Sequence, residues 1–71
     1  MRDKRLDILS ANIRAERSRK KMSQESLSEY VKISTRSISA IENGHQIPSA
    51  FVVYDIAKAL EIDINELYRG L

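Results

Sequence analysis

The sequence contains no cysteine. That excludes a disulfide framework and a thiolate metal site, and it fits a reducing compartment without requiring one. The single histidine, His45, has no partner ligands around it. No Ser/His/acid set, metal cluster or phosphate-binding loop stands out, so neither an enzyme nor a cofactor is expected. No apolar run approaches the ~20 residues of a membrane span. The first ten residues, MRDKRLDILS, are charged and lack the apolar stretch of a signal peptide. The chain therefore reads as soluble and cytoplasmic. It also lacks a strand signal of useful length, an internal repeat and a low-complexity linker. What remains is a single domain over residues 1–71, with a core that supports only about 3–5 kcal/mol of stability.

Charge is small in sum but uneven in place. The net charge is +2. Residues 1–36 carry ten Lys and Arg against five acids, a balance of +5. Residues 37–71 carry two against five, a balance of −3. A basic half and an acidic half make an oriented electrostatic footprint. An ordinary solvated surface is the bland alternative.

Five short helices follow from spacing and caps. Leu6, Leu9, Ile13 and Arg17 recur at three- and four-residue steps, which predicts a first helix from Asp3 or Leu6 to Lys20. Ser23 caps a second helix that ends near Val31. Ser34 caps a third over Thr35 to Asn43, and Gly44 stops it. Ser49 caps a fourth over Ala50 to Leu60. Asp63 and Glu66 form a capping box for a fifth, with a stripe at Ile64, Leu67, Tyr68 and Leu71. The expected core is Leu9, Ile13, Met22, Leu27, Val31, Ile33, Ile38, Ile41, Ile47, Val53, Ile56, Ala57, Leu60, Ile62, Ile64 and Leu67.

The second and third helices are joined by almost no linker, so they must cross steeply. A helix held out in that way, rich in Ser, Thr and Arg, suits entry into a DNA groove. The residues around the pair sharpen this reading. They are Ile13-Arg14-Ala15-Glu16-Arg17, Met22-Ser23-Gln24-Glu25-Ser26-Leu27, Ile33-Ser34, Ser37-Ile38-Ser39 and Ile41-Glu42-Asn43-Gly44. Pro48-Ser49, Ile56 to Leu60 and Asp63 to Tyr68 follow in order. Together they resemble the phage-repressor/Cro-type (Xre-type) helix-turn-helix family over about residues 8–68.

The resemblance implies an all-α, compact five-helix, lambda-repressor-like DNA-binding domain. Its helix-turn-helix is formed by helices 2 and 3. It also implies a sequence-specific transcriptional regulator, a repressor by preference, binding a palindromic operator in double-stranded DNA as a homodimer. The alternative is an antitoxin-like or accessory protein-interaction module of the same fold. By position, Thr35, Arg36 and Ala40 fall where family members read base edges. Gln24, Ser37 and Asn43 fall where they meet the DNA backbone. Arg17 and Glu42 occupy the positions of a partly buried ion pair that braces the recognition helix.

Two departures stand out. Lys21 and Lys32 replace glycines that the family places after helix 1 and in the turn between helices 2 and 3. If either adopts positive φ, the cost is about 1 kcal/mol. Lysine there also adds charge near the face expected to meet DNA, and Lys32 joins the expected backbone contacts. Phe51 falls opposite the apolar face of helix 4. With Tyr68 and Leu71 it makes a candidate dimer surface; an exposed Phe of no special role is the bland reading.

Overall fold

Short polar side chains set where each helix begins. In a computed structural model that describes residues 3–71, α1 spans Lys4–Arg19, α2 Gln24–Val31, α3 Thr35–Glu42 and α4 Ala50–Leu60. Ser23, Ser34 and Ser49 each accept from the backbone N–H three residues on, and Asp3 accepts from the Arg5 N–H. Each cap satisfies a donor that the first helical turn leaves without a partner. At Asp3 the Arg5 guanidinium adds a second contact at 2.7 Å. These Arg5 hydrogen bonds lower the Asp3 pKa to about 2.

The helices end with left-handed residues. Gly44 stops α3 at φ 73°, where glycine has no Cβ to clash. The others use side chains that do clash. Lys21, Lys32 and Glu61 follow α1, α2 and α4 at φ 56°, 64° and 56°. Each costs about 1–2 kcal/mol of backbone strain. The strain is offset in two ways. The reversal returns amides to the last helical carbonyls, as in Met22 N to Arg17 O at 3.2 Å and Ile62 N to Ala57 O at 3.1 Å. It also turns the next residue, Met22, Ile33 or Ile62, back onto the core.

The core is built from one stripe on each helix. Ile13 of α1, Leu27 of α2, Ile38 and Ile41 of α3, and Ile56 and Leu60 of α4 are all buried. α2 packs against both α3 and α4, and α1 packs against the same two helices. Cutting one of these side chains to alanine costs about 2–5 kcal/mol. That is comparable to the whole stability of a domain this small.

Two expectations fail. The fifth helix is absent as an α-helix; the chain makes one 3-10 turn at Ile64–Glu66. Asp63 caps it, but its carboxylate accepts from Asn65, two residues on, and Glu66 pairs with Arg69. The backbone bonds that follow all span three residues. Asn12 of α1 holds the turn. Its side-chain amide donates to the carbonyls of Leu67 at 2.9 Å and Arg69 at 2.8 Å. The tighter ladder repeats every three residues, so it keeps Ile64 and Leu67 on one face but cannot keep the i+4 and i+7 positions there. The stripe therefore stops at Leu67, which is buried, while Tyr68 and Leu71 are exposed. The second failure is Ile47, placed in the core by its apolarity but 75% exposed. Pro48 takes the inward position instead. Where the chain runs extended, successive side chains point to opposite sides, and here the inward one is Pro48.

Candidate nucleic-acid interface

The α2–α3 pair is joined by Lys32, Ile33 and Ser34. Ile33 turns inward, Ser34 caps α3, and Lys32 stays in solvent. α3 buries Ile38 and Ile41, which lie three residues apart on one face. Thr35, Arg36 and Asn43 are thereby exposed, with Ser37, Ser39 and Ala40 at the margins. The Arg36 guanidinium has no hydrogen bond or ion pair among the described residues. Lys21 and Lys32 likewise have no acidic partner among them. The positive charges flanking α2 and α3 are therefore not paired with an acid among the described residues.

The far end of α3 is clamped. The Glu42 carboxylate is 1% exposed and meets Arg17 as a two-point fork, at 2.6 Å to Nε and 3.0 Å to Nη2. Planar guanidinium and planar carboxylate match in this geometry, which gives direction as well as energy. The remaining Arg17 nitrogen donates to Met22 O at 2.7 Å, tying the α1–α2 turn into the same cluster. Arg14 donates to the Glu42 backbone carbonyl at 2.9 Å. Gln24 Nε2 donates to Glu42 Oε1 at 3.0 Å. Gln24 is therefore half-buried and partly committed to the clamp, with one amide hydrogen left over.

Other residues are placed as follows. The Asn43 amide lies 3.4 Å from Ser39 Oγ at the end of α3. Phe51 is 81% exposed at the start of α4. Leu71 borders a shallow apolar groove with Leu6, Leu9 and Ile47; neither Phe51 nor Tyr68 lines it. Among the described residues no group of three His, Cys, Asp or Glu is placed to hold a metal ion. No helix there is long and apolar enough to cross a membrane.

Sequence reasoning missed the contacts that Asn12, Arg14, Gln24 and Ser28 make. Arg14 to Glu42 O and Asn12 to the last turn join residues far apart along the chain. Ser28, on the inner side of α2, donates to Glu25 O at 2.7 Å and lies 3.2 Å from Thr35 Oγ1. A serine at an otherwise apolar helix position is the one local signal that pointed to it.

A braced α2–α3 pair with an exposed, cationic outer face defines a helix-turn-helix. A family model for the helix-turn-helix matches residues 13–67. The chain is 36% identical over 61 residues to the uncharacterized HTH-type transcriptional regulator YazB of Bacillus subtilis (strain 168). That alignment covers 86% of this chain and 88% of the relative. Among solved structures it is similar to the restriction-modification controller protein C.AhdI of Aeromonas hydrophila. The TM-score is 0.84 at 27% identity, covering 87% of this chain and 94% of that one. The clp gene regulator ClgR of Corynebacterium glutamicum shares the fold, with a TM-score of 0.85 at 22% identity over 87% of this chain and 66% of that one. The chain belongs to the Xre/Cro-type helix-turn-helix family of transcription regulators, a family of DNA-binding proteins and not of enzymes.

Proposed function

We propose that this protein is a cytoplasmic, sequence-specific transcriptional repressor that binds a palindromic operator as a homodimer, with α3 in the major groove. The observation that carries this reading is the contrast on α3 between the exposed Arg36, without a partner among the described residues, and the buried Glu42 clamp. A reader needs a free side chain on a helix that does not move.

Arg36, Thr35 and Ala40 contact bases in this reading. Arg36 suits guanine, whose O6 and N7 accept a bidentate guanidinium worth about 1–3 kcal/mol of discrimination. Ala40 offers only apolar contact. Ser37, Asn43, Lys32 and the second amide hydrogen of Gln24 meet phosphate oxygens and set the register. Phe51, Tyr68 and Leu71 supply exposed apolar surface for a second copy. A two-fold dimer then presents two copies of α3 to half-sites one helical turn apart.

Selection from random duplex DNA tests the reading. The expected product is a two-fold symmetric site, with binding that weakens by a slope of about −0.9 in log–log salt per phosphate neutralised. Arg36→Ala should relax preference at one base position per half-site. Enrichment of no sequence at low salt would rule the reading out. Uniform weakening on all sequences would reduce Arg36 to a phosphate contact.

A further inference from the structure

We propose that Ser28 fixes the Thr35 hydroxyl as a hydrogen-bond acceptor, so that Thr35 selects a base bearing an exocyclic amino group, adenine or cytosine, over guanine or thymine. The proposal rests on the reading of Thr35 as a base contact and adds the sense of that contact.

Proton counting gives the direction. A hydroxyl has one hydrogen to donate and two lone pairs to accept with. Ser28 is buried, and its Oγ lies 2.7 Å from Glu25 O. A carbonyl oxygen only accepts, so the Ser28 hydrogen is committed there. Ser28 Oγ also lies 3.2 Å from Thr35 Oγ1. The hydrogen between those two oxygens must then be the one on Thr35. Thr35, exposed on the outer face of α3, thus donates inward and presents lone pairs outward.

Each base pair shows one amino group and one carbonyl oxygen in the major groove. The amino groups belong to adenine and cytosine, the oxygens to guanine and thymine. An acceptor set against O6 or O4 leaves both oxygens without a hydrogen. Reversing Thr35 would bring its oxygen and that of Ser28 together with no hydrogen between them. Phosphate oxygens also only accept, so the Thr35 hydroxyl is unsuited to the DNA backbone.

Ser37, two residues on, is set the opposite way. Ser34 Oγ donates to Ser37 Oγ at 3.1 Å, which leaves Ser37 its own hydrogen. That outward donor suits a phosphate. Two hydroxyls on one turn of α3 are thus polarised in opposite senses by their neighbours.

The test is selection from random duplex DNA with the full chain, comparing the unchanged protein, Ser28→Ala and Thr35→Val. The unchanged protein should favour adenine or cytosine over guanine or thymine by about three- to tenfold at the position that Thr35→Val disturbs, the worth of one hydrogen bond. Ser28→Ala should bring that ratio to within about twofold while leaving preferences at other positions unchanged, a pattern that general loss of folding does not produce. If the disturbed position favours guanine or thymine, or if Ser28→Ala leaves the ratio intact, the acceptor assignment is overturned and Thr35 remains a reader. If Thr35→Val disturbs no position, the base-contact reading falls and takes this proposal with it. The preference of the unchanged protein decides the matter even if Ser28→Ala does not fold.

Discussion

α3 ends in a buried charge and begins among uncharged hydroxyls. At its last residue the Glu42 carboxylate takes three side-chain hydrogen bonds from Arg17 and Gln24. At its start Ser34, Ser37, Thr35 and Ser28 make only neutral contacts of 2.7–3.2 Å. Desolvated charges tolerate one geometry, because any displacement leaves an ion buried without its partner. Neutral hydroxyls hold their sense through single hydrogen bonds, each worth about 1 kcal/mol, and keep an open lone pair or hydrogen for a partner. The charged end therefore fixes where the helix lies, and the hydroxyl end remains free to meet a partner.

The largest expected effect comes from breaking the charged end. Arg17→Ala leaves Glu42 buried without its fork and should cost about 3–5 kcal/mol. That would leave the domain mostly unfolded at room temperature, as a thermal melt by circular dichroism will show. Replacing both partners with apolar residues, Arg17→Met with Glu42→Leu, should recover most of the loss. At the other end Ser34→Ala removes one cap and should cost about 1 kcal/mol. Equal losses at the two ends in urea titration would contradict the comparison.

Lys32→Gly tests the turn that links α2 to the hydroxyl end. Relief of the left-handed strain, less the extra freedom of glycine when unfolded, should raise stability by up to about 1 kcal/mol. The salt slope of DNA binding should fall by about 1 if Lys32 meets a phosphate. The smallest effect belongs to Ser10. Its Oγ is buried with no hydrogen-bond partner among the described residues. Ser10→Ala should raise stability by about 0.5 kcal/mol in the same titration, because an unpaired buried hydroxyl is removed.

Features encoded by near neighbours were legible in the sequence. Ser23, Ser34 and Ser49 cap the helices assigned to them, and α4 spans Ala50–Leu60 as its spacing predicts. A cap needs only a polar side chain and a nearby amide, both present in a short window. Features set by distant partners were not legible. The stripe Ile64, Leu67, Tyr68 and Leu71 fits both an α-helix and a tighter turn at its first two positions. The tighter form is held by Asn12, more than fifty residues earlier, which no local window shows. Glu61 in a left-handed conformation carries no local signal at all.

The candidate site divides in the same way. Exposure of Thr35, Arg36 and Asn43 follows from the inward pair Ile38 and Ile41 on their own helix. The reach of Gln24 into the Glu42 cluster does not, since a long amide takes its direction from what stands opposite. The same holds for Ser28, whose bearing on Thr35 appears only when α2 and α3 are laid together.

The Asn12 amide gives the carboxyl-terminal turn a property unusual for a last turn. Peeling it away would uncover the buried Leu67 and leave two amide hydrogens of Asn12 without acceptors. Local fraying is opposed by both losses, which couple the segment to the first helix. The backbone amides of Leu67 and Tyr68, bonded to Ile64 and Asn65, should therefore exchange with deuterium more slowly than those of an untethered chain end, which hydrogen-exchange measurement will show.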